Sequence, residues 1–64
     1  MIKGKYIGRH RQLFHKTALL REVDGDSKSV FAQFDDMTLP IMYTHSWKKY
    51  RTSSFIILRT NPND

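Results

Sequence analysis

The chain has 64 residues, with 11 Lys+Arg against 6 Asp+Glu, a formal net charge of +5, 39% hydrophobic residues and no cysteine. A chain this short makes one domain, read as residues 1–60 with 61–64 as a flexible tail, and it buries only about 60% of the surface its unfolded form exposes. The missing thiols exclude disulfide scaffolds and cysteine-ligated zinc fingers. No apolar run approaches the roughly 20 residues of a membrane span, and the opening residues, Lys3 and Lys5 around Gly4, lack the apolar stretch of a signal peptide. A soluble, cytoplasmic protein with no membrane partner is expected.

The first expected strand is 2–7, with Gly4 as a bend and Gly8 as the exit. Residues 9–22 contain neither Gly nor Pro and include several good helix formers. Their apolar members, Leu13, Phe14, Ala18, Leu19 and Leu20, nevertheless scatter around a helix circumference instead of forming one stripe. A basic loop followed by a strand at 17–23 accounts for them better. Asp24-Gly25-Asp26-Ser27 is a turn signal, and beyond it Val30, Ala32 and Phe34 alternate with Phe31 and Gln33 in the period of a half-buried strand at 29–34. Asp35-Asp36 and Leu39-Pro40 mark the next break. Ile41, Met42 and Tyr43 open a strand at 41–45, and the β-branched and aromatic run Phe55-Ile56-Ile57-Leu58 closes the chain with a strand at 54–59. Five short strands in so few residues predict an all-β fold, a small closed or nearly closed barrel, because an open sheet of this size leaves long unpaired edges. Phe34, Phe55 and Ile57 are its expected core residues.

Charge is sorted along the same path. Residues 1–21 hold six cations (Lys3, Lys5, Arg9, Arg11, Lys16, Arg21) and no carboxylate. Residues 22–36 hold Glu22, Asp24, Asp26, Asp35 and Asp36 against Lys28 alone, and residues 37–60 turn positive again through Lys48, Lys49, Arg51 and Arg59. Two basic segments flanking an acidic middle create opposed fields, which orient an approaching partner as well as attract it.

The stretch from Trp47 through Tyr50, Ser53-Ser54 and Phe55-Ile56-Ile57 resembles the end of an SH3-like barrel, in which a short 3₁₀ turn carrying a small polar residue leads into an aromatic-aliphatic last strand. Phe31-Ala32-Gln33-Phe34-Asp35-Asp36 is similar to the central strand and acidic turn of such barrels, including KOW-type domains and the small SH3-like subunit of photosystem I. The resemblance covers the C-terminal half and implies a five-stranded SH3-like barrel. Two departures bear on function. There is no Ala-Leu-Tyr-Asp-Tyr-like opening, and Trp47 is followed by Lys48 instead of a second Trp, so the aromatic groove that binds proline-rich peptides is not implied.

Chemistry-bearing constellations are sparse. His10 and His15 share a basic loop whose cations oppose a divalent metal, and neither they nor His45 has a carboxylate placed to complete a shell. No metal and no cofactor is expected. His45 and Ser46 are adjacent, so on a strand they point to opposite faces, and Asp35-Asp36 in a turn stay solvated with nothing to separate their pKa values. Gly4, Gly8 and Gly25 match no phosphate-binding loop. The chain is therefore expected not to be an enzyme.

Aromatic residues interleaved with cations point to binding instead. The candidate partner-binding residues are Arg9, His10, Arg11, Phe14 and Lys16 in the first loop and Trp47, Lys48, Lys49, Tyr50 and Arg51 in a basic turn. The barrel resemblance implies that these two segments are neighbours. Trp47 either anchors a partner or covers one open end of the barrel. The expected function is docking on an acidic surface of a larger protein or complex, as an accessory subunit or a small inhibitor of the kind bacteriophages encode. The alternative is a nucleic-acid-binding, KOW-like barrel, in which rings stack on bases and cations meet phosphates.

Overall fold

Period-two alternation governs most of the backbone. The computed structural model describes residues 2–58, so the expected tail at 61–64 and the end of the last expected strand lie outside the described residues. Five strands form: β1 (Ile2–Tyr6), β2 (Thr17–Val23), β3 (Asp26–Phe34), β4 (Lys48–Arg51) and β5 (Phe55–Leu58). They are linked by 3₁₀ turns at Arg11–Leu13 and Thr52–Ser54 and by one short helix, α1 (Ile41–Thr44). All pairings are antiparallel, in the order β4-β3-β2-β1-β5 within one sheet. None of the described helices is long and apolar enough to cross a membrane.

The β2–β3 hairpin turns at Asp24-Gly25, where Gly25 holds a φ of 75° that its missing Cβ makes inexpensive. Beside it the register shifts between Glu22 and Val23, a bulge that ends the regular ladder. Along β3, Val30, Ala32 and Phe34 are buried while Phe31 and Gln33 are half-buried on the other side, as the alternation predicts.

The inner face is organised by four aromatic rings drawn from four strands. Tyr6 (β1), Phe34 (β3), Tyr50 (β4) and Phe55 (β5) make six ring pairs with centroids 5.4 Å (Tyr6–Phe55) to 6.1 Å (Phe34–Phe55) apart, five of them edge-to-face. That arrangement suits the quadrupoles of the rings. It also shows how far the sheet curls: β4 and β5 are its two edges, yet Tyr50 and Phe55 touch. The edges thus meet through side chains, and no backbone ladder joins them among the described residues. Leu13, Ala18, Leu20, Val30, Ala32 and Leu39 complete the core. Gly4 is no bend. It lies within β1 opposite Ala18 and Ile57, and a Cβ there would come within 2.6 Å of Leu20 Cδ1, so its bareness admits Leu20 to the core.

Three further expectations are corrected. Residues 41–45 form α1 instead of a strand, because Pro40 stands at the helix start, where its missing N–H costs nothing, and Tyr43 and His45 donate back to the Pro40 and Ile41 carbonyls at 2.9 Å. Residues 48–51, expected as a turn, are β4, paired residue for residue with Ser29–Ala32. Ile57 is 42% exposed although its position is inward, because it lies at the open end of the sheet where no element among the described residues covers it. Phe34 and Phe55 are buried as expected, at 1% and 6% exposure.

Candidate functional site

Cross-strand register separates residues that are adjacent in sequence. In β4, Lys48 and Tyr50 oppose the inward Ala32 and Val30, whereas Lys49 and Arg51 oppose the outward Phe31 and Ser29. Phe31 in turn opposes Arg21, giving an outward row Arg21–Phe31–Lys49 across three strands. Trp47 enters this row from the start of β4, with the Arg21 guanidinium 5.3 Å from its ring centroid, and Arg21, Glu22, Phe31 and Trp47 line a shallow groove. A cation over an indole holds both groups in place while leaving the N–H donors of the guanidinium at the surface.

The same outer face continues across β2, β1 and β5. Leu19 opposes Lys3, Thr17 opposes Lys5, and these two lysines oppose Leu58 and Ile56 on β5. The face therefore carries Lys3, Lys5, Arg21, Lys49 and Arg51 among Leu19, Phe31, Trp47, Ile56 and Leu58. Asp26, at the hairpin end, brings its carboxylate 4.0 Å from Lys49 Nζ, whereas Glu22 opposes the inward Val30. Asp26 is held below the usual carboxylate range by its hydrogen bonds with the Ser29 side chain and the Lys28 N–H, helped by Lys49.

The first loop belongs to a different place. Leu13 is fully buried and pins it, and the His15 N–H donates to the Tyr6 carbonyl at 2.9 Å while His15 adopts a φ of 67°, unusual for a residue with a Cβ. Phe14 stacks on the His15 ring at 3.9 Å and stays 47% exposed. His10 Nε2 is 2.9 Å from the Tyr43 hydroxyl, and Lys48 Nζ is 5.8 Å from the Tyr43 ring. Lys16 pairs with Asp36. That pairing, with the Thr38 hydroxyl and N–H bonding the same carboxyl group, holds Asp36 far below its ordinary pKa.

The ten sequence-predicted binding residues thus divide. Trp47, Lys49 and Arg51 stand on the outer sheet face. Arg9, His10, Arg11, Phe14, Lys16 and Lys48 gather around the first loop and α1. Tyr50 faces the ring cluster, where its hydroxyl is buried with no hydrogen-bond partner among the described residues, and its pKa is pushed up to about 12 by burial first and then by Tyr43 and Tyr6. Residues of these two surfaces that were not among the ten include Lys3, Lys5 and Arg21 on the sheet face, with Phe31 between Arg21 and Lys49, and Tyr43 beside the loop. The first three could have been found by continuing the alternation outward along 2–7 and 17–23. Tyr43 carried no such signal, because its contact with His10 depends on α1.

Among the described residues no group of three or more His, Cys, Asp or Glu is placed to hold a metal ion. The sequence matches no known family pattern and no curated protein, and no solved structure matches it.

Proposed function

We propose that this chain is a non-catalytic binding module that docks its basic outer sheet face on an acidic surface of a larger protein, as an accessory subunit or small inhibitor. The observation that carries this reading is the Arg21–Phe31–Lys49 row with Trp47 packed under Arg21. A half-buried Trp under an exposed Arg, with Phe31 and Lys49 in the same row, is the composition of an interface hot spot. An SH3-like architecture suits the reading and is supported by five antiparallel strands with a 3₁₀ turn, Thr52–Ser54, directly before the last. A soluble, cytoplasmic setting goes with it, since the proposed partner is a protein and the face that meets it is charged.

Nucleic acid is the less favoured partner. Base stacking needs a free ring face. Here the Arg21 guanidinium covers one face of the half-buried Trp47, and the Asp26 carboxylate beside Lys49 repels phosphate. The test is affinity capture from extracts of the native source, with and without nuclease, comparing the parent with Arg21→Glu and Lys49→Glu. The expected result is a nuclease-insensitive protein partner that either reversal weakens by about tenfold or more, since charge complementarity steers and holds such encounters. Capture abolished by nuclease, or untouched by both reversals, overturns the reading.

A further inference from the structure

The sheet ends in two edges of opposite character. β5 presents Phe55-Ile56-Ile57-Leu58 and β4 presents Lys48-Lys49-Tyr50-Arg51. β4 has one neighbour, β3. Beyond that ladder, no backbone hydrogen bond among the described residues involves residues 48–51. In an antiparallel pair alternate residues turn their N–H and C=O groups away from the neighbour, so half of the polar backbone of β4 faces outward, able to pair with another strand.

We propose that β4 accepts an extended acidic segment of a partner protein as a sixth strand of the sheet. This rests on the docking reading above and names the form the acidic partner takes. Charge complementarity selects the occupant. Added at this edge, a strand places alternate residues beside Lys49 and Arg51 on the outer face, where directly opposed side chains lie about 5 Å apart at Cβ, and carboxylates there complete two ion pairs. The residue between them falls beside Tyr50 on the inner face and meets the ring cluster, which calls for an apolar side chain. The recognised pattern is therefore acid–apolar–acid. The same cations oppose a second copy, because β4 against β4 would set Lys49 and Arg51 against their own counterparts, so the edge repels itself while remaining open to an acidic strand. Main-chain hydrogen bonds supply affinity and the alternating side chains supply specificity.

The probe is an acetylated, amidated Glu-Val-Glu-Val-Glu-Val-Glu peptide. It is compared with a block peptide of the same composition, all Val before all Glu, and with the alternating peptide N-methylated at its valines. Titration followed by NMR reads affinity, and hydrogen exchange reads the backbone amides of β4. The alternating peptide is expected to slow exchange of one or more amides within Lys48–Arg51 and to bind about tenfold or more tightly than either control, with Lys49→Glu/Arg51→Glu abolishing the difference. Equal binding by the block and alternating peptides, or binding without change in β4 exchange, overturns strand addition while leaving docking through the sheet face standing. If no peptide binds yet the charge reversals still abolish capture from the extract, strand addition likewise falls alone. If no peptide binds and the reversals leave capture intact, both readings fall together.

Discussion

Lys49 and Tyr50 are adjacent in the chain and belong to opposite faces of one sheet. Tyr50 closes a cluster of four rings, while Lys49 stands in an outward row with Phe31 and Arg21. The inner face derives its energy from area removed from water and from close packing, so it answers to small changes of volume. The outer face keeps its charges solvated, where each contributes little to stability, and it is the face proposed to dock. A residue's contribution to fold or to binding is therefore decided by its parity on the strand more than by its type. Substitutions on the two faces separate the roles.

The largest effect is expected at Phe34, 1% exposed and in contact with the other three rings. Phe34→Ala should cost about 3–5 kcal/mol through lost burial and an unfilled cavity, enough to unfold much of a domain this small. Urea denaturation followed by the Trp47 fluorescence measures it. A variant that keeps parental stability would mean that the cluster is not the centre of the core.

Next is Gly4. A methyl group there would stand 2.6 Å from Leu20 Cδ1 and 3.3 Å from both the Ile56 carbonyl oxygen and Phe55 Cβ, two of them on the neighbouring edge strand. Gly4→Ala should destabilise by about 1–3 kcal/mol as β1 and β5 are pushed apart, although alanine suits a strand better than glycine does. Adding Leu20→Val should recover part of the loss by withdrawing the clashing methyl, and melting of the single and double variants tests this. Equal losses in both would place the strain elsewhere.

Ile57 refines the boundary between the two faces. Its position is inward but it is 42% exposed, so Ile57→Ala should cost only about 1 kcal/mol, well below a fully buried isoleucine. Thermal melting that places it level with Phe34→Ala would show the open end of the sheet to be covered.

These cases also show which features local sequence carries. The β2–β3 hairpin was legible because Asp24-Gly25 and the alternation from Val30 to Phe34 are both short-range signals, and Phe34 followed from that period and Phe55 from the apolar run it opens. β4 was not legible, because three of its four residues are cations and a single inward Tyr makes no visible period. Nor was α1: Ile41-Met42-Tyr43 favours a strand by propensity, and four residues are too few to express a helical repeat, so Pro40 and the bonds from the Tyr43 and His45 N–H groups back to the Pro40 and Ile41 carbonyls decide it. The ten candidate residues were chosen by type, and the fold divides them between two surfaces. The contact of Arg21 with Trp47 depends on the order of the strands, which no local pattern encodes.

The smallest effect is expected at the inward member of the β4 alternation, Tyr50. Its ring packs against Tyr6, Phe34 and Phe55, but its hydroxyl is buried without a partner among the described residues. Tyr50→Phe keeps the ring and removes the unsatisfied group, so at pH 7 the variant should match the parent or exceed it by up to about 1 kcal/mol. Alkaline pH sharpens the contrast. Burial, with Tyr43 and Tyr6 behind it, pushes the Tyr50 phenol up to about 12 in the fold, against about 10 in the unfolded chain. A raised folded pKa means that the neutral form is favoured in the native state; its contribution is complete below pH 10 and is lost as pH rises from 10 toward 12. The parent should therefore lose stability relative to Tyr50→Phe across that window, while the other tyrosines titrate in both proteins and cancel in the difference. Urea midpoints at pH 7, 10 and 11.5 measure it. A Tyr50→Phe variant that is clearly weaker at pH 7, with no divergence at high pH, would mean that the hydroxyl reaches the surface and has a partner there. Tyr50 would then belong with Lys49 and Arg51 on the face proposed to dock.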